Sequence, residues 1–241
     1  MLKKNHISRI QTHSEEWHKA RLAKFTSSKM HNLCYPTGFT EGTLNYIRQR
    51  VGEELTGEPA DREIDTDATR HGILYEAEAI KRFGERMGLK FVITQQLITA
   101  PGSRFGSTPD ALIILRESPD GTEYEVETVE VKCPPTYDAY IGLFECDTPT
   151  QLKKEKREYY WQVLDQMDQA GARRGHFVIY HPKFKVGNHK TILFDPTVPV
   201  VTSKGKTFPL HEDLKLLRAR KQKALIKFDE IRSKLMAHAA L

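Results

Sequence analysis

The chain has 241 residues, with 37 Lys and Arg against 32 Asp and Glu, a net charge of +5, and 39% hydrophobic residues. That balance excludes an extended disordered chain, and the length allows a buried core without disulfides or structural metal. The longest apolar run, Ala111 to Leu115, is far short of the ~20 residues of a membrane span, and Cys34, Cys133 and Cys146 form no Cys-x-x-Cys pair.

Ser14-Glu15-Glu16 offers an N-cap and early acids for a first helix. A second begins near Thr26-Ser27-Ser28, and Leu44, Ile47 and Val51 mark a third. These N-terminal helices span 14–60. From Arg70 to Met87 the residues Ile73, Leu74, Ala77, Ile80 and Phe83 recur at helical spacing until Gly88 stops them. The pattern then changes. Phe91 to Ile93, Gln96 to Ile98, Ala111 to Leu115 and Tyr124 to Cys133 read as strands, the last two joined by the turn Ser118-Pro119-Asp120-Gly121. One long helix is expected from Leu152 to Ala170, ending at Gly171, then strands at His176 to Tyr180 and Thr191 to Phe194. A C-terminal helix within 210–239 carries the stripe Leu217, Leu225, Phe228, Ile231 and Leu235. The order predicts an α/β fold in a single domain over 1–241, with a mixed central sheet flanked by helices and its core at 70–195.

Chemistry concentrates at Thr108-Pro109-Asp110 and, twenty residues on, Glu130-Val131-Lys132. Side chains alternate along a strand, so Glu130 and Lys132 share one face while Val129, Val131 and Cys133 share the other. Asp110 enters the neighbouring strand and can converge on Glu130. Paired carboxylates suit a shared Mg²⁺, and a nearby lysine can orient or deprotonate a metal-bound water, or offset charge on a phosphate. Glu76, set among apolar residues, needs a partner or faces solvent. Gln162 and Gln166 stand one turn apart, either to hold water and phosphate oxygens or as a solvated stripe. Lys153, Lys154, Lys156 and Arg157 either line phosphates or form a solvated face. The sequence has no His-Glu-x-x-His, Gly-x-Ser-x-Gly or Gly-x-x-x-x-Gly-Lys run, so zinc peptidase, α/β-hydrolase and P-loop chemistry lack their residues.

Thr108-Pro109-Asp110 with Glu130-Val131-Lys132-Cys133-Pro134 resembles the PD-(D/E)XK nuclease signature. Trp17-His18-Lys19-Ala20-Arg21-Leu22, Thr26-Ser27-Ser28, His71-Gly72 to Glu76, and Tyr160-Trp161-Gln162-Val163 to Met167 follow in the order of the lambda-exonuclease, or YqaJ-like viral recombinase, family. The resemblance covers roughly residues 11–195. It implies a restriction-endonuclease-like core and an Mg²⁺-dependent 5′→3′ exonuclease, with Mn²⁺ able to substitute, acting at double-stranded DNA ends. Asp110, Glu130 and the Val131 carbonyl would hold metal, and Glu76 a second ion. Lys132 would activate the attacking water, and Gln162 would contact that water or the phosphate. Arg21, Ser28 and Thr108 would grip the 5′-phosphate; apart from the resemblance, Arg21 reads as a surface partner of Glu15 or Glu16. A ring-shaped homotrimer, a single-strand annealing protein, no membrane, and a phage or prophage protein in the bacterial cytoplasm are further implied. A non-cleaving DNA-binding module and an endonuclease with the same core are the alternatives. The segment 116–122 is a longer hairpin loop than the family leads one to expect.

Overall fold

The computed structural model describes residues 1–8, 10, 12–60, 66–89, 92–201, 207–208 and 210–238. In chain order the strands are β1 (Leu2–Lys3), β2 (Phe25–Thr26), β3 (Val92–Thr94), β4 (Phe105–Gly106), β5 (Ala111–Glu117), β6 (Glu123–Lys132), β7 (Gly175–Tyr180), β8 (His189–Phe194), β9 (Val200–Val201) and β10 (Thr207–Phe208). The α-helices are α1 (Glu15–Arg21), α2 (Glu41–Thr56), α3 (Asp67–Met87), α4 (Tyr137–Phe144), α5 (Pro149–Glu155), α6 (Arg157–Ala170) and α7 (Leu210–His238), with 3-10 turns at Lys4–His6 and Ser27–Asn32.

β5 opens on the continuous apolar run Ala111 to Leu115 and β6 alternates valines and Thr128 with acids, and the Ser118-Pro119-Asp120-Gly121 turn folds them antiparallel, with Ala111 opposite Val129. The main sheet runs β3-β5-β6-β7-β8, and β1 adds to the outer end of β6 through Leu2 and Tyr124. β6 and β7 are parallel while the other pairs are antiparallel, so the sheet is mixed as expected. Val129, Val131 and Cys133 pack on Ala79, Ile80 and Phe83 of α3. The opposite face carries Phe177 and Ile179 into the core with Val163, Leu164 and Met167 of α6 and Leu217, Ala224 and Phe228 of α7. The split of faces on β6 is therefore the one its alternation dictates.

α6 lies so close to β7 that Gly175 has no substitute of similar shape. A Cβ there would stand 2.8 Å from both Met167 Sδ and Val163 Cγ1. A second, two-stranded sheet pairs β2 with β4 in parallel, Phe25 beside Phe105 and Thr26 beside Gly106. It draws the N-terminal segment alongside the strand entry at Thr108.

Several elements differ from expectation. The helix expected over Leu152 to Ala170 is two, broken at Lys156 (φ −139°, ψ 71°). Lys156 closes α5 by donating its N–H to Leu152 O and opens α6 by accepting from Tyr160 N, a break that no Gly or Pro announces. On α3 the buried stripe is Ala79, Ile80 and Phe83, whereas Ile73 and Leu74 are 54% and 68% exposed. The first turns of α3 border an open cleft instead of the core, which is why the helical spacing misled there. Thr26-Ser27-Ser28 leads into a 3-10 turn, not an α-helix. Of Gln96 to Ile98 only Ile98 bridges, to Ile7 and Ser107; Phe91 lies outside the described residues. Among the described residues no helix is long and apolar enough to cross a membrane.

Candidate active site

Asp110 stands where β5 begins, and its Oδ2 accepts the Val131 N–H at 2.6 Å. That bond ties the carboxylate to the backbone of β6. Glu130, buried on the adjoining residue, accepts from Gln162 Nε2 on Oε1 and from Gln166 Nε2 on Oε2, both at 2.6 Å. Lys132 Nζ pairs with the same Oε1. Glu76 of α3 accepts from Gln95 Nε2 at 2.7 Å. Gln95 is itself fixed, its N–H on Asp110 O at 3.1 Å and its Oε1 receiving Thr12 Oγ1 at 3.0 Å.

The electrostatics follow from three carboxylates around one half-buried lysine. Burial first, then the charges of Glu130 and Glu76, hold the Asp110 carboxyl well above its ordinary range. Burial, with Glu130 as the main charge opposing ionisation, raises Glu76 as well, against the pull of the Gln95 hydrogen bond. For Lys132, burial disfavours the ammonium, but Glu130 and Asp110 together outweigh it and raise the pKa. Lys132 is thus a cation at neutral pH.

A divalent cation suits this donor set. The carboxylates repel, they are desolvated, and the donors they offer are oxygens, the ligand type that Mg²⁺ takes. Among the described residues no three His, Cys, Asp or Glu side chains are arranged to hold an ion by themselves. The fit therefore rests on Asp110 and Glu130 completed by a backbone oxygen and water, as is usual for Mg²⁺. Three N–H donors already occupy three of the roughly four lone-pair positions on Glu130.

A cavity of about 140 Å³ opens beside these groups, lined by Trp17, Arg21, Ser28, Thr108, Asp110 and Gln162 among others. Arg21, Ser28 and Thr108 are thus brought together. The Arg21 guanidinium lies 3.8 Å from the centre of the Trp17 ring, while Glu15 pairs with Lys19. Among the described residues Thr108 Oγ1, Trp17 Nε1 and Gln166 Oε1 are buried without a hydrogen-bond partner. A larger cleft of about 470 Å³ borders the cavity, lined by Ile73, Val131, Lys132, Lys156 and Tyr159 among others. His13, Glu76 and Asp110 line both, so these two acids stand where the two spaces meet.

Residues that sequence reasoning left out also line the cavity: Thr12, His13, Ser27 and Gln95. His13 and Gln95 adopt φ of +63° and +52°, a backbone state uncommon outside glycine and often found at functional sites. Neither position carries a sequence signal for it. Gln166 is no solvated stripe but 1% exposed. Of the basic run, Lys156 lines the cleft, Lys153 is paired with Asp213, Lys154 with Glu155, and Arg157 donates to Cys34 O.

Residues 16–173 match the model of the YqaJ-like viral recombinase domain. The chain belongs to the YqaJ-like viral recombinase family. Solved structures similar to it include an alkaline exonuclease from Laribacter hongkongensis, at 22% identity over 94% of this chain and 98% of that one, with a TM-score of 0.69. The same exonuclease in complex with dAMP aligns at 24% identity over 94% and 98% of the two chains, with a TM-score of 0.68. A phage-related exonuclease from Haemophilus somnus 129PT aligns at 14% identity over 88% and 96%, with a TM-score of 0.62. At these identities the likeness establishes the shared fold. No curated protein sequence matches the chain. The YqaJ-like match ends at residue 173, so β7, β8 and α7 lie beyond it.

Proposed function

We propose that this YqaJ-like chain is an Mg²⁺-dependent nuclease that digests linear double-stranded DNA from its 5′ ends, releasing 5′-mononucleotides and leaving 3′ single-stranded tails. The observation that carries the reading is the junction: Asp110 and Glu76 border both a small cavity lined by Arg21, Ser28 and Thr108 and a larger cleft. The small cavity takes the terminal 5′-phosphate, to which an arginine and hydroxyls are suited. The scissile bond lies at the acids, and the rest of the strand runs through the cleft past Lys156 and Tyr159. The small cavity limits what can be removed at each step, which favours a mononucleotide product.

Asp110, Glu130 and the Val131 carbonyl would hold Mg²⁺, or Mn²⁺ in its place, with Glu76 contributing to a second ion. When bound, the metal supplies a Lewis acid and an acidified water. The protein's own groups do the rest. Gln162 and Gln166 orient Glu130, and Gln162 is close enough to the junction to contact the attacking water or the phosphate. Protonated Lys132 orients that water and offsets the charge that grows on the phosphate. Arg21, Ser28 and Thr108 fix the terminal nucleotide and so set polarity. Family membership fits a phage or prophage protein that works in the host cytoplasm, as a ring-shaped trimer with a single-strand annealing partner.

The test is digestion of a linear duplex labelled at each end in turn, beside the same DNA as a closed circle, with Mg²⁺, Mn²⁺ and EDTA. Mononucleotides from the 5′-phosphorylated strand of the linear form alone, abolished by EDTA, are expected. Cutting of the circle would point to an endonuclease. Binding without cleavage under either metal would point to a non-cleaving recombination module.

A further inference from the structure

Behind Ser27, which lines the small cavity, lies a buried carboxylate that the proposed reaction does not use. Asp165 of α6 is fully buried. Its Oδ2 accepts Ser27 Oγ at 2.6 Å and Gln169 Nε2 at 2.6 Å. Its Oδ1 accepts Lys221 Nζ of α7 at 2.8 Å, and the same ammonium reaches Asp168 Oδ2 at 2.9 Å. Arg218 Nε, one turn earlier on α7, meets Asp168 Oδ1 at 2.6 Å. Two acids of α6 are therefore matched by two bases of α7.

This arrangement has consequences for the cavity. Ser27 lines it and is 3% exposed. Having committed its single proton to Asp165, the Ser27 hydroxyl cannot donate to a phosphate. It acts instead as a tether that holds the 3-10 turn Ser27–Asn32, and with it the neighbouring Ser28, against α6. An uncompensated carboxylate one residue beneath an anion site would repel the anion through a low-dielectric interior. Lys221, 11% exposed at its side chain, supplies the compensation from a helix that contributes no lining residue to the cavity.

We propose that the Lys221–Asp165–Ser27 relay is a positioning and charge-setting device for the 5′-phosphate cradle. Asp165 holds the turn that presents Ser28, and Lys221 cancels the carboxylate so that a terminal phosphate is admitted. The proposal rests on the reading of the small cavity as that cradle. Asp165 and Lys221 are positioning residues, since neither lines the cavity.

The experiment compares duplex DNA bearing a 5′-phosphate with the same duplex bearing a 5′-hydroxyl. Binding is measured by fluorescence anisotropy in EDTA, and KM and kcat with Mg²⁺. The proteins are the full chain, Lys221→Met, Asp165→Asn and the double variant, each checked by thermal melting. Lys221→Met should lower the preference for the phosphorylated end by roughly tenfold, with the change in KM and not kcat. Asp165→Asn keeps an acceptor for Ser27 while removing the charge, so it should raise the preference. The double variant should return it to near the starting value, a rescue that simple loss of packing does not produce. Equal losses for both ends in Lys221→Met, or an unchanged ratio, would overturn the proposal. If Lys221→Met does not fold, Asp165→Asn alone decides: a ratio that fails to rise is fatal. Should the unaltered protein show no preference at all, the cradle reading itself falls, and that outcome is distinct from a preference that the variants leave untouched.

Discussion

The two ends of the small cavity are built in different ways. At the acid end, Asp110 stands at the entry to β5 and Glu130 on the adjacent β6, and the Val131 N–H, at 2.6 Å from Asp110 Oδ2, ties that carboxylate to the β6 backbone. At the opposite end, Arg21 comes from a seven-residue helix, Ser28 from a single 3-10 turn and Thr108 from a loop beside a two-residue strand pair. There the geometry depends on side chain against side chain: Arg21 on Trp17, and Ser27 on Asp165. The acid end is thus set by register, whereas the other end is set by contacts that single substitutions can remove. Chemistry and end recognition should then be separable.

The strongest way to break that separation is at Asp110. If Asp110 holds the proposed metal, Asp110→Ala should lower cleavage by at least about a thousandfold, since the metal-directed nucleophile would be lost, while anisotropy still shows binding to a 5′-phosphorylated end. If binding falls in parallel, the two ends are one unit. Acid should act on the same end. Asp110 and Glu76 are pushed upward by burial and by the charge of Glu130, so lowering pH protonates them above the ordinary carboxylate range and would remove the proposed metal ligands. Cleavage should fall about tenfold per pH unit below that raised range, and added Mg²⁺ should move the fall to lower pH, because metal and proton compete. A fall that Mg²⁺ does not move would place the titration elsewhere.

At the other end, Arg21→Ala would remove the proposed charge-assisted contact to the 5′-phosphate, worth about 1.5–3 kcal/mol. KM for the phosphorylated duplex should rise by roughly ten- to a hundredfold, with kcat little changed and the hydroxyl-ended duplex barely affected. Gly175→Ala probes what the two ends share. Its Cβ would press on Met167 and Val163, displacing the helix that supplies Gln162 and Gln166 to one end and Asp165 to the other. A loss of about 1–3 kcal/mol in stability is expected, read as a lower Tm, together with weaker cleavage of both kinds of duplex. Weakening of only one would show that α6 supports that end alone.

The same contrast explains what the sequence made legible. Period-two alternation put Glu130 and Lys132 on one face and Val129, Val131 and Cys133 on the other, and the structure keeps that split. The hairpin signal brought Asp110 to Glu130 for the same reason. Arg21, Ser28 and Thr108 are 80 or more residues apart at the extremes, and no local pattern joins them; only the family resemblance did. Gln95 escaped notice because its role comes from a left-handed backbone and from contacts to Thr12 and Glu76, far away in the chain. The exposure of Ile73 and Leu74 shows the limit of helical periodicity: spacing finds an apolar face, but tertiary packing decides how much of that face meets the core.

The finest division of the contact-built end lies within Trp17. Its ring carries the Arg21 guanidinium, and its buried Nε1 has no hydrogen-bond partner among the described residues. Trp17→Phe keeps an aromatic face and removes the N–H. If the residue serves as a platform, only part of a cation–π contact of about 0.5–2 kcal/mol is lost, and KM for the phosphorylated duplex should rise by no more than about threefold. If the indole N–H reaches the phosphate itself, the rise should approach that of Arg21→Ala. Combining the two changes decides between these cases. A platform has no effect once Arg21 is gone, so the double variant should match Arg21→Ala alone, whereas an independent donor would add its own loss.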